Sequence, residues 1–263
     1  MSPPFAPRLA LASLSGESDA AWAERAAPHV GCAFLGGVAL DEPTRAAARA
    51  MAADRDRQEF LPADPLAFVD EQLAALADVP LRPGINVRSA SPAPVRSAAA
   101  VCADHGALLE VNAHCRQAEM CAAGAGETLL RDADRLCASV AAAADAGADV
   151  SVKVRAELDG VDLPATARRL QDAGAAAIHV DAMDSEGVVA SVAAAAPDLF
   201  VIANNGVRDE RTVREYLAYG ADAVSVGRPS DRPDVLRRVR RAIDEWFADA
   251  PDRDADGDRE VRA

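Results

Sequence analysis

A single closed (β/α)8 barrel is the fold class the sequence predicts, and three observations predict it. Eight short runs rich in Val, Ile, Leu and Ala recur along the chain, Ala/Arg/Glu/Asp-rich stretches of helical length separate them, and only 4% of residues are aromatic. Strands that are apolar almost throughout are buried on both faces, which marks a parallel sheet covered by helices. Eight strand–helix repeats close such a sheet into a barrel, and 263 residues suit that architecture as one domain.

The first strand is expected over residues 8–13 (RLALAS) and the second over 31–40 (GCAFLGGVAL). Residues 41–83 are more than one helix needs; EPTRAAARAMAADRD and DPLAFVDEQLAALADV predict two there. The third strand, 84–89 (GINVRS), leads to a helical stretch at 92–106. The fourth, 107–113 (ALLEVNA), leads to another at 129–149. Strands five to eight follow at 149–156 (DVSVKVRA), 176–182 (AAIHVDA), 199–206 (LFVIANNG) and 223–228 (AVSVGR). DAGAD, DAGAA and AYGAD each end a helix before the next strand, with glycine in the left-handed C-cap position. The barrel is assigned to residues 1–247. Residues 248–263 are Asp/Arg-rich without apolar periodicity, which predicts a disordered acidic tail.

Charge narrows the function. Forty-two acidic against 28 basic residues give a net charge of −14, a field that repels phosphate backbones and argues against a broad nucleic-acid surface unless the basic residues cluster. An acidic surface almost without lysine also fits adaptation to high salt, a halophilic-type surface on which carboxylate repulsion is screened. Five cysteines without paired spacing predict a reducing, cytoplasmic setting, not a disulfide framework. The first residues carry no basic n-region ahead of an apolar core, and no run approaches the roughly 18 apolar residues that span a bilayer.

In such barrels chemistry gathers where the strands end. The polar residues expected there are Ser13 and Ser15; Asn86 and Arg88; Asn112, His114 and Cys115; Lys153 and Arg155; His179 and Asp181; Asn204, Asn205 and Gly206; and Gly227 and Arg228. Lys153 is the only lysine in the chain, and it stands in the middle of an apolar strand. The loops after strands seven and eight form the common phosphate site of this architecture. Gly206 and Gly227 would let backbone N–H groups approach an anion, and Arg228 could grip it bidentately. His114, Cys115 and Cys121 match no common zinc spacing, so no metal is expected. P-loop and Rossmann glycine patterns are absent, so a nicotinamide cofactor would bind only transiently.

EVNAHCRQAEMCAAGAGETLLRD followed by VSVKVRAE, IHVDA, VIANNGV and GADAVSVGR resembles the FMN-dependent tRNA-dihydrouridine synthases, especially their shorter archaeal relatives. The order of the motifs, from the first strand to the eighth, carries the likeness. It implies an FMN-binding barrel that reduces the C5=C6 bond of uracil in tRNA or a related small pyrimidine, with NADPH or NADH as electron donor. Cys115 falls on the family's catalytic cysteine, which protonates C5 while hydride arrives at C6. Lys153 is implied at the flavin N1/O2 edge, His179 near its ring or phosphate, Asn86 in place of a flavin-contacting Gln, and Ser13, Asn112, Asn204, Asn205, Gly206, Gly227 and Arg228 around the rest of the cofactor. Departures fall on the substrate side: His114 and Arg116 flank Cys115 where the family has Gly and Pro, Glu119 replaces a Lys, and Val180 and Asp181 replace Gly-Arg. The family's C-terminal helical RNA-binding domain is not expected, which leaves a homo-oligomer or an accessory RNA-binding subunit to grip RNA. Two other readings compete: a Schiff-base aldolase or lyase with Lys153 as nucleophile on a phosphorylated substrate, and a non-catalytic flavin-binding barrel.

Overall fold

The computed structural model describes residues 3–55 and 58–249. Eight parallel strands close in sequence order: β1 Leu9–Leu11, β2 Cys32–Ala39, β3 Arg82–Arg88, β4 Leu108–Asn112, β5 Asp149–Arg155, β6 Ala177–Asp181, β7 Phe200–Asn204 and β8 Ala223–Val226, with β8 returning to pair with β1. All eight expected strands are present, so the (β/α)8 barrel stands. Helices α1 Ala20–Ala26, α2 Glu42–Arg55, α3 Pro65–Ala74, α4 Pro92–Asp104, α5 Ala118–Ala122, α6 Glu127–Arg131, α7 Ala133–Ala144, α8 Leu163–Asp172, α9 Val188–Ala195, α10 Glu210–Ala218 and α11 Pro233–Ala248 form the outer layer. Of the tail expected to be disordered from residue 248, Ala248 ends α11 and Asp249 caps it, and residues 250–263 lie outside the described residues.

Alternation along each strand separates two apolar layers. Outward residues such as Leu109, Val111, Val150, Val152, Ile178 and Val180 pack beneath the helices. Inward, Phe5, Ala10, Cys32, Phe34, Leu108, Ala177, Ile202 and Ala223 fill the floor of the barrel. Above that floor the inward residues turn polar, and the sheet itself therefore delivers polar groups to the mouth.

Residues 41–83 hold the two expected helices, α2 and α3, the latter capped by Asp64. The stretch 129–149 is not one helix. Asp132 leaves helical geometry at φ −103° and ψ 74° and caps the backbone N–H of Arg135, which splits it into α6 and α7. Gly147, Gly174 and Gly220 each have φ near +90° after α7, α8 and α10, the left-handed C-cap that the three repeated phrases predict. The first and last units are tied where the barrel closes by Trp22 Nε1, which donates to Ser230 Oγ at 3.1 Å.

Candidate active site at the barrel mouth

The deepest polar layer is a chain of hydrogen bonds centred on Glu110, whose side chain is wholly buried. Asn86 Nδ2 donates to Glu110 Oε1 at 2.7 Å, and His179 Nδ1 lies 2.7 Å from Glu110 Oε2. Ser225 Oγ is 2.7 Å from His179 Nε2 and also accepts from Asn204 Nδ2 at 2.7 Å. At the other end Asn112 Nδ2 donates to Asn86 Oδ1 at 2.9 Å. The polarity is consistent throughout if His179 is neutral with its proton on Nδ1. Burial keeps the imidazole below its usual pKa, while the hydrogen bonds from His179 and Asn86 and the Lys153 charge hold the Glu110 carboxyl low against the opposing effect of burial. Beneath the network the His179 ring rests on Phe34, with centroids 5.4 Å apart.

This layer has a consequence for stability. His179, and His114 at the mouth, both titrate below the ordinary histidine value. Above about pH 6.5 they are neutral in both folded and unfolded chains and contribute no pH dependence. Below it the unfolded chain takes up protons that the fold refuses, so stability is lost as pH falls. A urea-unfolding midpoint measured in high salt is expected to decline from about pH 6.5 downward; a level midpoint down to about pH 5 would contradict it.

Four of the predicted cofactor residues, Asn86, Asn112, His179 and Asn204, are therefore engaged within this network, through Glu110 and Ser225 and, for the two asparagines Asn86 and Asn112, with each other. They form a rigid floor. Asn205 is exposed and donates to Asp181 Oδ1 at 2.9 Å, bridging the loops after β6 and β7. Tyr216 OH on α10 fixes that loop further, donating to the Asn205 carbonyl at 2.9 Å and approaching that of Asn204 at 3.2 Å. Glu157, Met183 and Asn205, each just beyond β5, β6 or β7, adopt left-handed φ without being glycine. Such conformations persist where surrounding structure holds them, commonly at functional faces.

The remaining predicted residues are open. Lys153 is 2% exposed, and among the described residues its ammonium makes no hydrogen bond and no ion pair. Burial lowers its pKa, and Glu110 and Asp181 offset that through space. Ser13 is half-buried just past β1, with no hydrogen bond to its hydroxyl among the described residues. Arg228 is exposed and likewise unpaired among them. A Cβ added to Gly206 or Gly227 would meet no atom of the chain within 4 Å, so both backbones border open space. The N-terminus of the helix after β7 is less available to an anion: Asp209 caps α10, accepting from Thr212 N at 2.9 Å.

The other arginines of the mouth are neutralised. Arg88 pairs with Glu59 at 2.7 Å, both side chains almost fully buried, and also contacts Ser15. Arg155 pairs with Glu127 at 3.1 Å. Arg116 is exposed on the loop after β4. On the same loop Cys115 is buried, and its side chain packs with Ala47, Met51, Met120 and Ala125. Sequence reasoning missed Glu110, Ser225 and Glu59. Glu110 had a signal: an acid in ALLEVNA, in phase with Leu108 below and Asn112 above, cannot be an outward residue. Glu59 had none, since it reaches the mouth from the α2–α3 connection.

Among the described residues no group of His, Cys, Asp and Glu could hold a metal ion, and no helix is long and apolar enough to cross a membrane. Solved structures share the architecture at low identity. 3-Hexulose-6-phosphate synthase from Salmonella typhimurium matches at a TM-score of 0.57 and 16% identity, over 90% of this chain and 99% of that one. DHODH from Eimeria tenella matches at a TM-score of 0.63 and 13% identity, over 92% of this chain and 81% of that one. Both speak for the barrel alone. Sequence relatives are more specific: tRNA-dihydrouridine synthase B of Xanthomonas campestris pv. campestris is 28% identical, covering 81% of this chain and 69% of that protein. Its counterpart in Xanthomonas axonopodis pv. citri is 27% identical over the same shares. The family model for dihydrouridine synthase (Dus) matches residues 84–254, from the third strand through the last helix. With that match over most of the barrel, the chain belongs to the dihydrouridine synthase family and is an oxidoreductase acting on CH–CH bonds.

Proposed function

We propose that the protein binds FMN and uses NADPH or NADH to reduce the C5=C6 bond of uracil in tRNA or a related pyrimidine. The observation that carries this reading is Lys153, whose side chain is 2% exposed and whose ammonium reaches the barrel mouth without a bonded partner among the described residues. An unpaired buried cation costs several kcal/mol, so such a site is built for a ligand that brings electron-rich atoms to it. The open backbones of Gly206 and Gly227 beside an unpaired Arg228 suit a phosphate on that ligand. FMN carries both features.

When bound, FMN supplies hydride chemistry. The chain's residues do the rest. Lys153 would hold the electron-rich N1/O2 edge and favour negative charge there. Ser13 offers a hydroxyl on the β1 side. Gly206, Gly227 and Arg228 would cradle the phosphate, with Asn205 holding the rim through Asp181. The buried chain from Asn112 to Asn204 keeps water from beneath the site and fixes the strands that carry Lys153. The family likeness gives the proton at C5 to Cys115, whose side chain packs against Met51 and Met120 in this arrangement.

The names of the curated relatives support tRNA as the substrate. On an otherwise acidic chain the exposed Arg116 and Arg228 would flank an entering base, with a second copy or an accessory RNA-binding subunit supplying further grip. The test is the visible spectrum of the purified protein followed by release of any chromophore. FMN is expected. A colourless protein that takes up no added FMN would overturn the reading.

A Schiff-base lyase stays in view on one observation, the lowered pKa of Lys153, which favours a nucleophilic amine. Borohydride trapping with sugar phosphates separates the two: a covalent adduct at Lys153 belongs to the lyase alone.

A further inference from the structure

We propose that the α2–α3 connection is a lid on the barrel mouth, latched by the Glu59–Arg88 ion pair, and that it opens to admit the flavin. The opening belongs to the ligand-free chain; only its purpose rests on the reading of the site as FMN-binding. The side chains at the mouth are nearly shut off from outside. Lys153 and Arg88 are each 2% exposed and Asn86 is fully buried. No flavin ring reaches Lys153 unless a group above it moves.

Arg88 is such a group. It stands two residues beyond Asn86 on β3, so it faces the same way, into the barrel. A Cβ built on Gly37 would stand 2.9 Å from both Arg88 Nε and Asn86 Oδ1, which places the guanidinium beside the Asn86 amide. Its charge also acts on Lys153. The guanidinium therefore lies across the polar floor on the side of β2 and β3. Two groups hold it there: Ser15 of the loop after β1, and Glu59 at 2.7 Å, with a side chain 1% exposed.

Glu59 comes from a strap that little else fixes. Along residues 58–62 the Glu59 side chain is turned in, while Gln58 and Leu61 are exposed and Phe60 and Pro62 are half-buried. The far end is secured, since Arg45 Nη2 donates to the Pro62 carbonyl at 2.8 Å and Asp64 caps α3. At the near end the strap rests on the loop after β1. Gly16 makes the seat: at φ +73° a Cβ there would stand 2.3 Å from the Gln58 carbonyl carbon. A segment with so few buried apolar contacts opens locally at a smaller cost than the whole fold. Once Glu59 lets go, Arg88 is free to leave Asn86, and Lys153 is bared.

Lys153 is the only lysine in the chain, so an amine reagent reads the opening at a single side chain. The ligand-free protein in high salt is treated with 2,4,6-trinitrobenzenesulfonate, with and without sub-denaturing urea, and modification of Lys153 is followed by peptide mass apart from that of the N-terminal amine. Wild-type labelling is expected to be slow and nearly flat in low urea, the mark of an opening that exposes little surface. Glu59→Gln should label about 10–150-fold faster, the factor carried by one charge-assisted hydrogen bond. A wild-type rate that climbs steeply from the lowest urea would mean that Lys153 is reached only by global unfolding, and would overturn the lid even if the variant failed to fold. A wild-type Lys153 that reacts as fast as free lysine, or a folded Glu59→Gln that labels at the wild-type rate, would overturn it too. FMN uptake tests the purpose: association should be faster in Glu59→Gln by a similar factor, and an unchanged association rate would remove the role in admission. A protein that takes up no FMN would sink the flavin reading, while the labelling still decides the lid.

Discussion

Lys153→Met is expected to make the ligand-free protein more stable and FMN binding weaker. The Lys153 side chain is 2% exposed without a bonded partner among the described residues, and the charges of Glu110 and Asp181 only partly offset its desolvation. Methionine is similar in length, apolar and conformationally adaptable, so it fills the same space without that cost. Replacing poorly compensated buried charge by apolar side chains commonly gains about 1–4 kcal/mol. The gain should fall in the lower half of this range, because Glu110 loses one of the cations that keep it ionised. A charge-assisted hydrogen bond to the cofactor is worth about 1.5–3 kcal/mol, so FMN should bind about 10–150-fold more weakly. Uracil reduction in the loaded variant should fall as well, by about 10²-fold if charge at the flavin edge matters as an oxyanion site does. Denaturant titration with and without FMN reads both halves. A variant less stable than wild type without ligand would mean that Lys153 serves the fold. Unchanged FMN affinity would mean that it does not face the cofactor.

The barrel was legible because its signals are local and repeated. Eight apolar runs at regular spacing and three glycine C-caps of one design leave little freedom of topology, and each strand formed where alternation and composition put it. Boundaries were less secure where one side chain decides. The break between α6 and α7 depends on Asp132 choosing to cap a neighbour's backbone, which an Ala-rich helical pattern does not reveal. At the site, strand phase was enough to bring Asn86, Asn112, Lys153, His179 and Asn204 into one place. It did not reveal which of them bond to one another and which stay open, because that depends on lateral neighbours. Asn86 and His179 are spoken for by Glu110, whereas Lys153, directly opposite His179 in the β5–β6 register, is not. Nor could the motif order show which way the loop after β4 turns. The direction of the Cys115 side chain is set by the clamp from Gly126 and Glu127, contacts made across a turn that the order of motifs does not describe.

The second large effect is expected at Glu110. Glu110→Ala should destabilise the fold by about 2–6 kcal/mol, since it leaves two buried donors unsatisfied at about 1–3 kcal/mol each, against a total stability of about 5–15 kcal/mol for ordinary domains. The loss has three sources. Asn86 Nδ2 and His179 Nδ1 lose their acceptor and stay buried, and Lys153 loses the carboxylate that contributes most to keeping it protonated. Glu110→Gln keeps the shape but presents one oxygen and one amide group to two donors. His179 can answer only by moving its proton to Nε2, which forces the Ser225 hydroxyl to turn away. A cost of about 1–3 kcal/mol is expected there. If Glu110→Ala costs less than about 1 kcal/mol, the carboxylate is not the hub of the layer. The double variant Glu110→Leu, His179→Phe separates stability from purpose. It replaces the buried pair by apolar groups and should recover much of the lost stability. Yet it deprives Lys153 of its main counter-charge, so Lys153 should titrate lower still and FMN should bind less well at neutral pH. A double variant that recovers stability and keeps full FMN affinity would show that the polar floor exists only to fill the barrel. One that recovers stability and loses affinity would show that the layer is kept to hold a cation ready beneath the cofactor.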